Sequence, residues 1–120
     1  MRDARRVFIV EDDFLIAEYL RALCRENGQD VVGNAAEANT ALTRIDELRP
    51  DFVLMDVRLK GERDGVDIAL AIHERHPRTR VVFITGSSEP STLERIDEDH
   101  PYRVLIKPID PEELFVALSG

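Results

Sequence analysis

Five short apolar runs, each separated from the next by a longer segment with helical spacing, constrain this chain more than any other feature. "RVFIV" (6–10), "DVVGNA" (30–35), "FVLM" (52–55), "RVVFI" (80–84) and "RVLIK" (103–107) are rich in Val, Ile and Phe and have the length of strands. Continuous apolar runs of this kind suit strands buried on both faces, the condition of a parallel sheet. Between the first two, Ile16, Leu20 and Leu23 recur at intervals of four and three, with Ala17 and Cys24 one residue on. That is the stripe of a helix packed along one side. Ala38, Leu42 and Ile45 repeat the pattern ahead of Pro50, and Ile68 and Ile72 ahead of Pro77. "SEPSTLERIDEDHP" offers only Leu93 and Ile96, which predicts a weakly anchored, mobile helix. "DPEELFVALSG" closes the chain with Asp110 placed to cap a helix and Pro111 at its first position.

Strict alternation of five strands with five helices builds parallel βαβ units with right-handed crossovers. The predicted fold is α/β, a doubly wound, flavodoxin-like parallel sheet of order 2-1-3-4-5 flanked by five helices. A chain of 120 residues is expected to form one domain over 1–120, burying roughly two thirds of its unfolded surface. In this order the C-terminal ends of strands 1 and 3 lie side by side at the topological switch point, where a site is expected.

Composition narrows the chemistry. The net charge of -8, with the basic residues scattered, argues against a nucleic-acid surface. No apolar run approaches the roughly 18 residues of a membrane span, and "MRDARRVFIV" lacks the form of a secretory signal, so a cytoplasmic location away from membranes is expected. Cys24, the single cysteine, excludes an internal disulfide and a cysteine-based metal site, and its apolar neighbours give it a packing role.

The residues that follow each strand carry the functional signal. After strand 1 stands "EDD", after strand 3 Asp56, after strand 4 "TGS" and after strand 5 "KP". The first of these loops has no Gly-rich phosphate cradle, which disfavours dinucleotide or flavin binding. Glu11, Asp12 and Asp56 instead converge, and like charges that close need a cation. Mg²⁺ takes oxygen ligands and keeps open positions for water and phosphate, so it suits this set better than Zn²⁺. A carboxylate beside such an ion is a candidate phosphoryl acceptor, here Asp56. Thr85 supplies a hydroxyl and Lys107, one of only two lysines, a compact cation for the phosphoryl oxygens. Each residue singly has a plainer account: helix caps for the acids, a turn residue for Thr85, a solvated strand end for Lys107. Their joint placement at four neighbouring strand ends exceeds what caps and turns require. Asp13 is assigned as the cap of the first helix, and no histidine is given a ligand role. Phe14, Tyr19 and Phe115 read as packing residues.

In "IVEDD", "LMD", "DG" at 64–65, "FITG" and "IKP", taken in order, the sequence resembles the receiver domain of two-component response regulators over essentially its whole length. The resemblance implies that Asp56 is the phosphoacceptor, Asp12 a direct Mg²⁺ ligand, Glu11 a water-mediated one and the backbone carbonyl of Arg58 a further ligand. It implies that Thr85 and Lys107 sense the phosphoryl group, that Lys107-Pro108 is a cis peptide, and that Arg58 and Ser87 flank the approach of a hydrolytic water. The implied donor is a sensor histidine kinase or a histidine phosphotransfer protein. The implied output is a downstream protein partner at the face of the fourth helix, fifth strand and fifth helix. Turnover of an external substrate is not expected; the domain would catalyse its own aspartyl phosphorylation and dephosphorylation. The sequence departs from the pattern at several places. Asp64-Gly65 lies one residue farther from Asp56 than is usual, and Lys60 stands where proline is common. Val104 replaces the usual aromatic switch residue, with Tyr102 on the same strand face, and Ile109 stands where Phe is frequent.

Two other functions share some of these parts. A haloacid-dehalogenase-like phosphohydrolase also uses an Asp nucleophile with Mg²⁺, but it wants that Asp in the first strand and a second acid two residues on, where this chain has Arg58. A pseudo-receiver that binds a partner without phosphorylation has no need of Asp12, Asp56, Thr85 and Lys107 together.

Overall fold

The computed structural model describes residues 5–57, 65–86 and 103–119. Its strands are β1 (Arg6–Val10), β2 (Asp30–Ala35), β3 (Phe52–Asp56), β4 (Arg80–Thr85) and β5 (Arg103–Ile106). They form one parallel sheet in the order β2-β1-β3-β4-β5, as the alternation predicts. Its helices are α1 (Phe14–Glu26), α2 (Ala38–Leu48), α3 (Gly65–Arg75) and α4 (Pro111–Ala117). The helix expected around Leu93 and Ile96 lies outside the described residues, so four of the five expected helices are seen among them.

Period-two alternation within the strands divides the core between the two faces of the sheet. Phe8, Val10, Val53, Met55, Val81 and Phe83 point to one face, where they meet Ala41, Leu42 and Ile45 of α2 and Ile68 and Ile72 of α3. Val7, Ile9, Phe52, Leu54, Val82 and Ile84 point to the other, against Ala17, Leu20 and Cys24 of α1 and Leu114 and Ala117 of α4. Because helices cover both faces, the central strands β1, β3 and β4 need apolar residues at successive positions. The edge strands β2 and β5 are only partly buried. The β1–β2 pairing also slips: Val7 faces Val31 but Phe8 faces Gly33, so the edge strand carries a bulge.

Side-chain caps hold α1 and α4 at the positions where the sequence puts them. The Asp13 carboxylate accepts from the N–H groups of Leu15 and Ile16 at 2.9 and 3.2 Å, and that of Asp110 from Glu112 N–H at 2.9 Å. Cys24 is fully buried, and burial pushes its thiol up to about 12, so it packs and does not react. Phe115 packs against the second core cluster, but two other aromatic assignments need correction. Phe14 is 73% exposed and Tyr19 46%. At 3.6 residues per turn, Tyr19 lies more than a quarter-turn round α1 from Leu20, and Phe14, the first residue of the helix, stands at the rim of the stripe that Ala17, Leu20 and Cys24 define.

Asp46 fastens α2 to the end of α3. Its carboxylate lies 2.7 Å from both Arg75 Nη1 and His76 Nε2. The hydrogen bond with His76, then the charge of Arg75, hold its carboxyl below the ordinary value. A depressed carboxyl contributes stability that is present above its unfolded pKa and is lost as pH falls through the folded one. Asp46→Asn is therefore expected to lower stability at neutral pH by about 1 kcal/mol or less, the scale of a half-exposed ion pair. Chemical denaturation at a series of pH values should show the gap between the two proteins closing below about pH 4.

Candidate functional site

The strand order brings together the residues that follow β1, β3, β4 and β5. Glu11 is pinned at the end of β1 by its N–H, which donates to the Ala35 carbonyl at 3.0 Å. Asp56 ends β3 and Thr85 ends β4; both are buried although polar, as is Glu11. Lys107 follows β5 directly, and its N–H donates to the Thr85 carbonyl at 2.8 Å, carrying the strand pairing one step past β5. The Lys107-Pro108 peptide is cis, as expected. Val104, at the position of the missing aromatic, packs against the α2–α3 core cluster, and Ile109 against the other.

Carboxylate oxygens of Glu11, Asp12 and Asp56 all lie within 4.8 Å of one another, Asp12 being the half-exposed member. Lys107 Nζ stands 3.2 Å from Glu11 Oε1 and 3.7 Å from Asp56 Oδ2. Among the described residues, one ammonium thus stands in ion-pair range of two members of a three-carboxylate group. Glu11 registers the imbalance, since burial, followed by the adjacent Asp56 carboxylate, raises its carboxyl above the ordinary value. The Asp13 N–H and Lys107 only partly oppose that rise. Glu11 Oε2 accepts from Asp13 N–H at 3.2 Å. Glu11 Oε1 is buried and lacks a hydrogen bond, because the Lys107 contact has ion-pair distance without hydrogen-bond geometry. A buried carboxylate oxygen without a hydrogen bond is costly, and the Lys107 ammonium offsets only part of that cost. An all-oxygen donor set with excess negative charge fits a hard divalent ion such as Mg²⁺.

Gly65 adds a requirement that spacing alone does not explain. Its N–H donates to the Val57 carbonyl at 2.8 Å, and a Cβ at this position would collide with the backbone carbonyl oxygen of Asp56. The "DG" pair signals the residue, but only the fold shows that it must be small so that α3 can start against the peptide of Asp56. Arg58, Lys60, Asp64, Ser87 and Tyr102 lie outside the described residues, so the expected carbonyl ligand and the flanks of the site do too. Among the described residues no helix is long and apolar enough to cross a membrane.

The family model for the response regulator receiver domain matches residues 7–119. The transcriptional regulatory protein PdtaR of Mycobacterium tuberculosis is 33% identical over 115 residues, covering 96% of this chain and 55% of that protein. The positive alginate biosynthesis regulatory protein of Pseudomonas aeruginosa is 37% identical over 115 residues, covering 94% of this chain and 45% of its own. This chain spans about half the length of such curated relatives. Among solved structures, the signal receiver domain of a modulated diguanylate cyclase from Desulfovibrio desulfuricans G20 superposes with a TM-score of 0.89 at 33% identity, covering 97% of this chain and 91% of that one. The matched region takes in both the acidic strand ends and the Thr85–Lys107 pair, and the chain belongs to the response regulator receiver domain family of two-component systems.

Proposed function

We propose that the chain is a phosphorylation-dependent signalling switch that accepts a phosphoryl group on Asp56 from the phosphohistidine of a sensor histidine kinase or phosphotransfer protein. The observation that carries this reading is the buried Asp56 carboxylate, held beside Glu11 and Asp12 with the Lys107 ammonium 3.7 Å away. In the reaction, an Asp56 oxygen attacks phosphorus in line with the scissile P–N bond. The new O–P bond forms as the imidazole nitrogen departs with the bonding pair and is reprotonated from solvent. Lys107 is placed to meet charge developing on the phosphoryl oxygens, and Thr85 offers its hydroxyl from the neighbouring strand end. The burial of Asp56 and Thr85 keeps competing water from the acceptor side.

Glu11, Asp12 and Asp56 are the described residues that would hold Mg²⁺, with the Arg58 carbonyl as a further proposed ligand. The bound ion would supply charge neutralisation, offsetting the repulsion between an anionic acceptor and an anionic phosphoryl group. Before it arrives, Lys107 partly screens Glu11 and Asp56 and holds the two side chains near each other. The switch would report to a downstream protein through the surface of β5, α4 and the segment preceding β5.

Treatment with acetyl phosphate and Mg²⁺, read by intact-mass spectrometry, should add one phosphoryl group to the wild type and none to Asp56→Asn, whose amide is no nucleophile. Equal labelling of the two would place the acceptor elsewhere. No labelling of either, with Mg²⁺ bound, would favour a receiver that engages partners without being phosphorylated. Independently, millimolar Mg²⁺ should raise the melting temperature of the unphosphorylated protein by mass action. The increment should shrink in Asp12→Asn, which removes one of the charges the ion neutralises. Differential scanning fluorimetry over a Mg²⁺ series, with Ca²⁺-free buffer and matched ionic strength, measures both.

A further inference from the structure

The end of the sheet opposite the carboxylates carries a second cleft, built differently. Its volume is about 400 Å³, within the range of small-molecule sites. Arg49 and Pro50 line it from the α2–β3 connection, and Arg75, His76, Pro77 and Arg78 from the end of α3 and the turn into β4. The two connections are stitched together. Thr79 Oγ1 donates to the Pro50 carbonyl at 2.8 Å, Thr79 N–H to His76 at 3.0 Å and Arg80 N–H to Asp51 at 2.9 Å. Two prolines with fixed φ stiffen the walls further.

Charge at this cleft runs against that of the molecule. On a chain of net charge -8, three guanidinium groups line it against the single carboxylate of Asp51. Asp46, just behind, is shared by Arg75 and His76. The side chains of Arg49 and Arg78 make no hydrogen bond or ion pair among the described residues. Basic residues at helix C-termini complement the helix dipole, which accounts for Arg75 as the last residue of α3. That account does not extend to Arg78, which lies past the helix in the turn. Nor does it explain the backbone of Arg49, the C-cap of α2, with φ 47° and ψ 63°. A left-handed conformation is unfavourable for an L-residue, and glycine commonly takes this position. A strained arginine in place of an unstrained glycine points to a use for the side chain.

We propose that this cleft is a binding site for a compact dianion of the phosphate class, gripped between the guanidinium groups of Arg49 and Arg78 with Arg75 and His76 at its back. Planar guanidinium forks match the oxygens of a phosphoryl group and can engage it in bidentate fashion. The negative ends of α2 and α3 face the same region and oppose an anion, so the expected binding is weak, suited to an abundant solute rather than a tight cofactor. The site is separate from the phosphoacceptor and does not depend on its assignment.

Titration of the ¹⁵N-labelled chain with inorganic phosphate at constant ionic strength, with a chelator present to strip divalent ions from the acidic site, tests the proposal by NMR. Saturable shifts are expected at the amides of Arg49, Asp51, His76, Arg78 and Thr79, with little change at Glu11, Asp12 and Asp56. Arg49→Gly should weaken binding roughly tenfold, about 1.4 kcal/mol, while leaving the melting temperature unchanged or raising it. Arg78→Ala should weaken it similarly. Shifts that do not saturate, that chloride reproduces, or that persist undiminished in both variants would overturn the site. A fall in the melting temperature of Arg49→Gly with phosphate affinity intact would show that Arg49 serves the fold alone.

Discussion

Three carboxylates held within 4.8 Å of one another would separate if they stood on mobile loops. Here they cannot, because Glu11 and Asp12 directly follow β1 and Asp56 ends β3, strands whose apolar residues are fully buried. Val7 to Val10 precede Glu11, and Phe52 to Met55 precede Asp56, all at 0% or 1% exposure. The apolar core thus does electrostatic work, since packing free energy spread over both faces of the sheet opposes repulsion concentrated at one edge. Lys107 lowers that repulsion without cancelling it, which leaves Glu11 Oε1 buried without a hydrogen bond and the Glu11 carboxyl raised. A site with that residual demand is built to favour a cation, and under the proposed function an arriving phosphoryl group would meet a carboxylate already under load.

Parallel topology also polarises the whole molecule. Each described helix returns antiparallel to the strands, so helix N-termini gather at the end of the sheet that bears the carboxylates and helix C-termini at the opposite end. Asp13 and Asp110 cap helices at the first end, while Arg49 and Arg75 stand at helix ends on the second. Dipole and side-chain charge therefore agree at both ends of the sheet. The acidic centre exceeds what this trend requires by bringing three carboxylates into one place, and the arginine-lined cleft exceeds it through a strained residue and one that lies beyond any helix.

Much of this was legible in the sequence because it rests on local or topological rules. The runs from Arg6, Asp30, Phe52, Arg80 and Arg103 became strands since β-branched and aromatic content with turn signals between is sufficient for buried parallel strands. The strand ends were legible because one sheet order is the common solution for five such strands, and in it Glu11, Asp56, Thr85 and Lys107 follow strands at the same end of the sheet. What the sequence hid depends on through-space contact. Phe14 and Tyr19 are apolar enough to pack, but the face of α1 is set by Ala17, Leu20 and Cys24, and they fall outside it. The reason Gly65 must be small lies in the carbonyl of Asp56, nine residues away along the chain and in contact in space. Asp46 meets Arg75 and His76 across two helices, a pairing with no periodic signature. Arg49 looks like any surface arginine until its backbone angle is known.

The slipped pairing of β2 bears on how this chain behaves in company. A sheet of five apolar strands has two open sides, and an unpaired strand is a template on which another chain can add. On one side β5 is only four residues long, too short to seed much pairing. On the other, the shift between Val7 and Phe8 breaks the even repeat of β2, and the Arg44 guanidinium reaches in against Gly33, where any side chain would crowd it. A newcomer strand would find neither a flat row of amides nor an uncharged border. Both features disfavour strand addition by a second copy, which suits the proposed task of meeting partners and parting from them each time.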